Sequence, residues 1–296
     1  MTLVQDFAYF KPGKLAKALA LKTEYGSRGR FLAGGTDLIN NLADEVVSPE
    51  AVIDLKGIAD LKRLEFSRGR LRIGALVTFS DLIGSATVKR RFPLLWEAAG
   101  EVASISVRNR ATLVGNLCSC VPCLDSGPPL VLYEATVEIA GSEVAREMSI
   151  FDFLQGPRKT ALQPEEMVTA VTFPDLPRER GESFVKLKRY RGEDLAQASV
   201  GVIALPGNRY RVAFGSVNPV PVRAAAIEAV LKGGSLTPKR MEAALDLVAK
   251  VVAPLTDIRA SREYRLHMCR VMLERALKAA DERRRGRGPK YGTSLI

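Results

Sequence analysis

Histidine is almost absent from this chain, and its scarcity excludes much of the chemistry that proteins perform with side chains alone. The only histidine among the 296 residues is His267, which falls inside an amphipathic helical pattern. Ser-His-Asp or Cys-His catalysis would need that imidazole to leave its helix, and a histidine-based zinc or iron site lacks ligands. We therefore expect His267 to lie at a core edge or at an interface.

Common nucleotide-binding signatures and long apolar segments are also missing. No Walker A motif occurs, and the only G-x-G triplet is Gly286-Arg-Gly288, so a Rossmann dinucleotide site is not encoded. Apolar runs such as Val200 to Leu205 fall far short of the roughly 20 residues of a membrane span. Asp6 and Lys11 interrupt the region where a signal peptide needs an apolar stretch, so we expect a cytoplasmic protein.

The composition is that of an ordinary globular protein with an excess of positive charge. Hydrophobic residues make up 47% and charged residues 26%, and 44 Lys and Arg against 33 Asp and Glu give a net charge of +11. The Arg-rich segment from Lys278 to Ile296 could hold RNA, an acidic partner or a partner subunit. Because no RNP-like aromatic motif accompanies it, we favour a solvated helix end that frays, without a nucleic-acid partner.

Short β-type runs alternate with amphipathic helical patterns, which predicts a mixed α+β protein. A strand over Phe31 to Ala33 is predicted to end at Gly34-Gly35 and to lead into a helix from Leu38. The turn-rich, charged stretch from Pro174 to Gly181 is typical of a domain boundary. The last helix is predicted to begin at Ser261, a good N-cap residue.

Two glycine-containing turns are the candidate ligand sites. In the first, Gly34 and Gly35 can direct consecutive N–H groups at one anion, and Thr36 adds a hydroxyl. The second offers Thr112, Gly115 and Asn116. Each alone is more often a plain turn, so the residues themselves indicate no more than a phosphate-bearing ligand.

Four ordered motifs together resemble the FAD-binding medium subunit of the molybdenum hydroxylases, the family of the xanthine dehydrogenase and carbon monoxide dehydrogenase flavoproteins. They are AGGTDL at 33–38, IGALVTFSDL at 73–82, SVRNRATLVGNL at 106–117 and PLTDIRASREYRLHM at 254–268. The resemblance implies a vanillyl-alcohol-oxidase-type (PCMH-type) FAD-binding domain of two α+β subdomains at 1–175. A smaller α+β C-terminal domain at 176–280 and a basic tail at 281–296 would follow.

The resemblance also implies which residues contact FAD. The first turn would hold the pyrophosphate, and the second would line the flavin together with an acidic residue and a lysine. The implied set is Leu32, Ala33, Gly34, Gly35, Thr36, Asp37, Leu38, Ile105, Thr112, Gly115, Asn116, Asp125 and Lys186. Since flavin redox takes place on the cofactor, no catalytic side chain and no metal ligand is expected on this chain.

Lys186 has two interpretations. Near the isoalloxazine ring, its cation would stabilise the anionic reduced flavin. Without the resemblance, it is better interpreted as a solvated lysine in a basic stretch with Lys188, Arg189 and Arg191.

Two departures from the family pattern leave further alternatives open. Val114 stands where relatives have a glycine, and valine would be strained if that position needs a positive φ. Cys118, Cys120 and Cys123 stand where relatives have small residues. They could supply three thiolates to an iron–sulfur site or act as small packing residues, and packing is favoured because no fourth cysteine lies nearby in sequence.

The family implies electron transfer within a larger complex. Electrons would leave a molybdopterin-binding large subunit, cross [2Fe-2S] clusters in a small subunit and reach FAD here. FAD would then reduce an external acceptor such as NAD, in a dimer of heterotrimers. Two other functions stay open: a stand-alone FAD-dependent oxidoreductase, and a basic, non-catalytic interaction module whose glycine turns bind nothing.

Overall fold

The structure, a computed structural model, describes residues 6–142, 144–190 and 192–296. Residues 1–5 of the predicted FAD domain and Arg191 of the basic stretch lie outside the described residues. No helix within these ranges combines the length and the apolar character that crossing a membrane requires.

A small parallel sheet at the N-terminus leads into the first glycine turn. Strands β1 and β2 both pair with β3, which lies between them and is buried at every residue. Helix α1 packs Ala18 and Leu19 into the core that β3 enters. The elements are β1 (Ala8–Phe10), α1 (Leu15–Tyr25), β2 (Gly29–Leu32), α2 (Leu38–Ala43) and β3 (Ala51–Asp54), with 3₁₀ turns at Gly26–Arg28, Leu55–Gly57 and Ala59–Lys62.

A five-stranded antiparallel sheet, in the order β4-β5-β10-β6-β7, forms the second unit. Its central strand β10 is buried from Met167 to Phe173, and Phe173 packs against the rings of Phe92 and Tyr133. The elements are β4 (Leu64–Ser67), β5 (Arg70–Gly74), α3 (Phe79–Gly84), α4 (Ala86–Arg91), α5 (Pro93–Gly100), α6 (Ile105–Arg108), α7 (Leu113–Ser119), α8 (Gly127–Leu132), β6 (Thr136–Ala140), β7 (Ala145–Ser149), α9 (Ile150–Phe153), β8 (Leu154–Gly156), β9 (Lys159–Thr160) and β10 (Met167–Pro174).

A third, four-stranded antiparallel sheet has the order β11-β12-β13-β14. Every residue of β11 and β12 is buried, because α13 packs against these strands and α5 and α8 pack against the same sheet. The elements are β11 (Gly181–Leu187), β12 (Ala198–Leu205), β13 (Arg209–Gly215), β14 (Val222–Arg223), α10 (Ala225–Leu231), α11 (Pro238–Asp246), α12 (Val248–Val251) and α13 (Arg262–Arg284). The expected mixed α+β fold, two units followed by a third, is confirmed.

The third sheet divides its side chains between two hydrophobic cores. Phe184 and Ile203 enter the core of the first two units, whereas their neighbours Val185 and Val202 enter a second core with α13. This division follows from the strand geometry, in which successive side chains point to opposite faces. The sheet therefore joins the two cores.

Helix α13 begins as predicted, with the Ser261 hydroxyl accepting a hydrogen bond from the Tyr264 amide at 3.1 Å. Its buried face carries Cys269, Met272 and Leu273, whereas Tyr264 is 47% exposed rather than part of the apolar face. His267 is exposed as well, so the expected core-edge position is wrong, and an interface position stays a prediction.

The basic tail does not fray, which corrects the expectation for this segment. Arg283, expected to be a solvated helix end, has a side chain only 3% exposed, and its guanidinium pairs with Glu97 of α5 at 3.0 Å. It also donates to the carbonyl of Glu182 at 2.6 Å and to that of Pro289 at 2.9 Å. The Gly292 amide donates to Glu97 at 2.8 Å, so the tail is docked on its own chain.

We predict that Arg283→Met destabilises the protein by about 3–5 kcal/mol, because it leaves the Glu97 carboxylate buried without its cation. Urea unfolding measures the loss, and Arg287→Met, at an exposed tail position, serves as the control. The double variant Glu97→Gln, Arg283→Met should lose less than the sum of the single variants, since neither charge is then left alone. Additive losses would show that the two groups are not coupled.

Candidate functional site

A cleft of about 910 Å³ lies where the two glycine turns meet. Its volume is within the roughly 300–1,000 Å³ of ordinary small-molecule sites. It is lined by the turn after β2, by the start of α7 and by the first residues of β10. The cleft therefore lies between the parallel sheet and the five-stranded sheet.

Most of the residues that the sequence implied are brought together here. Those lining the cleft are Ala33, Gly34, Gly35, Thr36, Asp37, Leu38, Thr112, Gly115, Asn116 and Asp125. Leu32 and Lys186 do not line it, and Ile105 is 70% exposed on α6 between the lining residues Ala103 and Val107. The contacts of the whole set with FAD stay predictions.

The first turn combines a left-handed glycine with a close backbone approach. Gly35 has φ +84°, a conformation that side-chain-bearing residues rarely adopt. A Cβ on Gly34 would lie 2.0 Å from the carbonyl oxygen of Arg110, so only glycine lets the two turns touch. In the described part of the chain, nothing accepts a hydrogen bond from the amides of Gly34, Gly35 or Thr36.

The charge around this turn favours an anion. Arg30 and Arg158 both line the cleft, and no carboxylate within the described ranges pairs with either of them. Asp37, the one acid of the turn, accepts a hydrogen bond from the Ser119 hydroxyl. Because α2 has only six residues, we assign anion binding to the loop amides and these arginines rather than to the helix dipole.

The second turn is the start of a helix. The Thr112 hydroxyl caps α7 by accepting a hydrogen bond from the Gly115 amide at 3.0 Å, and a Cβ on Gly115 would lie 2.8 Å from that hydroxyl oxygen. Asn116 accepts a hydrogen bond from the Ser126 hydroxyl at 2.7 Å, which leaves its amide N–H groups available. Val114 is helical and buried in the core, and its φ is not positive, so replacing the family's glycine causes no backbone strain here.

The motif at 73–82 fixes the second turn in place. The Phe79 amide donates to the Ala111 carbonyl at 3.0 Å, and Thr78 forms an isolated β-bridge with Thr112. Phe79 itself is buried, and Thr78 and Asp81 form a capping box at the start of α3. The sequence showed this motif only as part of the resemblance, and the structure gives its physical role.

A buried ion pair forms part of the cleft wall. The Lys186 ammonium is only 1% exposed and donates to Asp125 at 2.7 Å and to the Glu101 carbonyl at 2.8 Å, so the interpretation as a solvated lysine is wrong. Burial raises the pKa of Asp125 to about 6, although Lys186 lowers it. The second carboxylate oxygen of Asp125, Oδ1, is buried and has no partner in the described structure.

All four cysteines are free thiols, and Cys269 is buried in α13 away from the clustered three. Cys118 and Cys123 line the cleft, whereas Cys120 donates to the Gly156 carbonyl at 3.2 Å. Burial raises the pKa of Cys118 to about 12, so it is a weak nucleophile. Among the described residues, no group of three His, Cys, Asp or Glu side chains is placed to hold a metal ion.

Sequence reasoning missed the residues of the cleft that lie outside the two turns and their motifs. Val46, Val47 and Leu162 line it, as do Met167 and Val168 at the start of β10 and the loop residues 193–195. These residues form no motif and come from three distant segments, so the sequence held no local signal for them. Apart from Glu193 and Asp194, they add to the apolar surface of the cleft.

The polar groups of the cleft fit a dinucleotide such as FAD. Unpartnered amides and two cations suit a pyrophosphate, and an apolar wall suits a flavin ring. The orphaned Asp125 oxygen is an acceptor for an N–H or O–H of the ligand.

Comparison with known families agrees with this fit. Residues 5–176 match the family described as the FAD binding domain in molybdopterin dehydrogenase. Residues 182–280 match the CO dehydrogenase flavoprotein C-terminal domain.

Individual relatives are similar over nearly the whole chain. The xanthine dehydrogenase FAD-binding subunit of Escherichia coli O157:H7 is 31% identical, over 93% of this chain and 96% of its own length. The carbon monoxide dehydrogenase medium chain of Afipia carboxidovorans is 32% identical, over 94% and 98%. The solved carbon monoxide dehydrogenase from Hydrogenophaga pseudoflava superposes with a TM-score of 0.91 at 32% identity, covering 96% of this chain and 99% of that one.

We predict that Gly34→Ala weakens FAD binding, because its Cβ would push the two turns apart. Overpacking of this kind costs about 1–3 kcal/mol, which corresponds to roughly a ten- to hundredfold loss of affinity. Flavin content after purification and titration of the apoprotein with FAD measure the effect. Gly84→Ala, where a Cβ meets nothing within 4 Å, is the matched control. If Gly34→Ala binds FAD as tightly as the wild type, the first turn is not part of the FAD site.

We also predict that Lys186→Met destabilises the protein more at pH 8 than at pH 5. The native pKa of Asp125, about 6, lies above its unfolded value, so native stability falls as the pH rises through this window. At pH 5 Asp125 is mostly protonated with or without the lysine, so the variant loses little. At pH 8 the variant must either bury the Asp125 carboxylate without a cation or keep Asp125 protonated, at a cost of up to about 3–5 kcal/mol.

Urea unfolding at both pH values measures this difference for Lys186→Met. Lys239→Met, which removes an exposed cation of α11 that is not among the charges shifting the pKa of Asp125, is the control and should show little pH dependence. An equal loss at pH 5 and pH 8 would contradict a coupled Asp125–Lys186 pair.

Proposed function

Since this chain belongs to the family of FAD-binding subunits of the molybdopterin dehydrogenases, we propose that it is the electron-transfer subunit of a multisubunit molybdenum hydroxylase. It receives electrons from [2Fe-2S] clusters of a small partner subunit and delivers them to an external acceptor such as NAD. Oxidation of the organic substrate belongs to a large subunit that carries the molybdenum cofactor. The observation that carries the proposal is the cleft with its unpartnered glycine-turn amides.

The chain's own residues bind and orient the cofactor. The amides of Gly34, Gly35 and Thr36, with Arg30 and Arg158, hold the pyrophosphate. Thr112 and Gly115 shape the second wall, and Asn116 donates from its side-chain amide. FAD supplies the redox chemistry itself, because its ring accepts and returns electrons without a protein nucleophile or metal.

Asp125 and Lys186 set the charge of the cleft wall. Lys186 is behind Asp125 rather than in the cleft, so its cation acts on the cofactor through the carboxylate and through the low-dielectric interior. With a pKa of about 6, Asp125 can hold a proton in mildly acidic conditions and is ionised above that range. Oδ1 is the atom that accepts a hydrogen bond from the ligand.

The surface beside the cleft supports a partner subunit. Leu195 lines the cleft and is 48% exposed, and Leu255 and Ile258 are 79% and 93% exposed. The loop that carries Leu255 and Ile258 is held beside Gln197, because Arg265 donates both to the Gln197 carbonyl at 2.7 Å and to Asp257 at 2.6 Å. Exposed apolar groups gathered at one place are typical of interaction surfaces.

We extend the proposal to the organisation of the chain and the complex. Residues 1–175 form the FAD domain, residues 176–280 the C-terminal domain and residues 281–296 the tail, which the two family matches at 5–176 and 182–280 support. The assembly is a dimer of heterotrimers, as the relatives' designation as medium chains or subunits supports for a multisubunit enzyme. A cytoplasmic location agrees with four free thiols, which a reducing compartment preserves.

Isolation of the tagged chain from its own cells tests the proposal. We expect a coloured complex that contains FAD, iron and molybdenum together with two further subunits. Substrate added to this complex should bleach both the flavin and the iron–sulfur absorption. A yellow protein that is active alone and free of both metals would instead be a stand-alone oxidoreductase, and a colourless protein would be the basic interaction module.

The order of electron transfer can be tested in the same complex with Gly34→Ala, after dialysis has removed its weakly held FAD. Without FAD, the complex should still bleach its iron–sulfur absorption when substrate is added, and it should no longer reduce NAD. Gly84→Ala should retain both activities. Undiminished reduction of NAD in a flavin-free complex would contradict the proposed path.

A further inference from the structure

A second cavity, of about 480 Å³, lies apart from the FAD cleft and shares no lining residue with it. It forms where the end of α4, the connection between β10 and β11, and the docked tail meet. Five arginines and one aspartate line it, together with a proline and a tyrosine. This concentration of guanidinium groups has no role in the proposed electron transfer.

Three of the arginines are neutralised by carboxylates. Arg180 donates to the fully buried Glu182 at 2.5 Å, and its side chain is itself only 7% exposed. The three pairs are Arg91 with Asp175, Arg180 with Glu182, and Arg283 with Glu97. These pairs form the rigid base of the cavity, and they leave its charge balanced at those positions.

The other two arginines are the source of a net positive charge. Arg90 is the penultimate residue of α4, and Arg178 lies in the connection between β10 and β11. Within the described ranges neither side chain has a carboxylate or a hydrogen-bond acceptor as partner, and both residues are exposed. The one acid among the described lining residues, Asp175, pairs with Arg91 through Oδ2.

We propose that this cavity binds the phosphate group of a small organic phosphate monoester between Arg90 and Arg178. A phosphate monoester carries about −1.5 to −2 charges at neutral pH, which complements the two free guanidinium groups. Guanidinium forks pair with phosphate oxygens in a bidentate geometry that simple counter-ions cannot use. The volume of about 480 Å³ exceeds what an inorganic ion fills, so an organic group accompanies the phosphate.

The surroundings provide a wall for that organic group. Pro93 and Tyr291 line the cavity, and the Tyr291 ring stacks on the Arg283 guanidinium, 4.2 Å from its centroid. Tyr291 belongs to the tail and also accepts a hydrogen bond from the Glu182 amide at 3.2 Å. A bound phosphate ester would therefore bridge α4, the β10–β11 connection and the tail, and would strengthen their attachment.

Calorimetric titration of the FAD-saturated protein tests the proposal, with AMP and inorganic phosphate as probes at constant ionic strength. We expect saturable binding of AMP, weaker binding of phosphate and none of adenosine. Arg90→Gln with Arg178→Gln should raise the dissociation constant of AMP at least tenfold. The control, Arg68→Gln with Arg262→Gln, removes the same charge from two exposed positions outside the cavity and should leave it unchanged.

Hydrogen exchange gives a second readout, since bound AMP should slow exchange of the tail amides in wild type but not in Arg90→Gln, Arg178→Gln. Equal binding of AMP by both double variants, or no binding by the wild type, would overturn the proposal. The FAD content of the Arg90→Gln, Arg178→Gln variant should match that of wild type, which separates this site from the proposed electron-transfer function.

Discussion

The contact between Gly34 and the Arg110 carbonyl decides whether a binding site exists at all. The two glycine turns are far apart in sequence, and each is an ordinary turn without the other. A Cβ at residue 34 would sit 2.0 Å from that oxygen, so the absence of a side chain is what lets the turns meet. The second turn is held in place by backbone hydrogen bonds from the Phe79 amide to the Ala111 carbonyl and from the Leu113 amide to the Val77 carbonyl. The amides at Gly34 and Gly35 therefore face a formed cleft.

Buried charge pairs fix the position of the third sheet, which joins the two cores. Glu182 and Lys186 are four residues apart on β11, so their side chains lie on the same face of the strand as Phe184. Both therefore point toward the first core. Lys186 pairs with Asp125 at the cleft, and Glu182 accepts from Tyr133, from Arg180 and from the Leu94 amide. Because an unpaired buried charge is costly, each pair fixes the third sheet at one position against the helices beneath it. The same sheet thus supports the cleft between the glycine turns and the second cavity.

Features with a local cause were predicted well. The strand before Gly34, the helix from Leu38 and the start of α13 at Ser261 depend on side-chain periodicity, on glycine and on a capping hydroxyl, all of which are visible in a short stretch. Features that depend on distant partners were predicted poorly. Lys186 was ambiguous because Asp125 lies 61 residues away, and the tail was expected to fray because Glu97 lies 186 residues from Arg283.

By itself, the sequence determined the mixed α+β fold, the family and the two turns, since period-two and helical patterns and ordered motifs are properties of the chain alone. The tertiary structure decided which turn residues line one cleft, that Val114 is unstrained in a helix, and that Lys186 pairs with Asp125. It also decided the apolar wall at residues 46–47 and 162–168 and the arginine cavity under the tail. Packing brings these groups together from distant segments, and no short-range pattern records which buried charge will meet which.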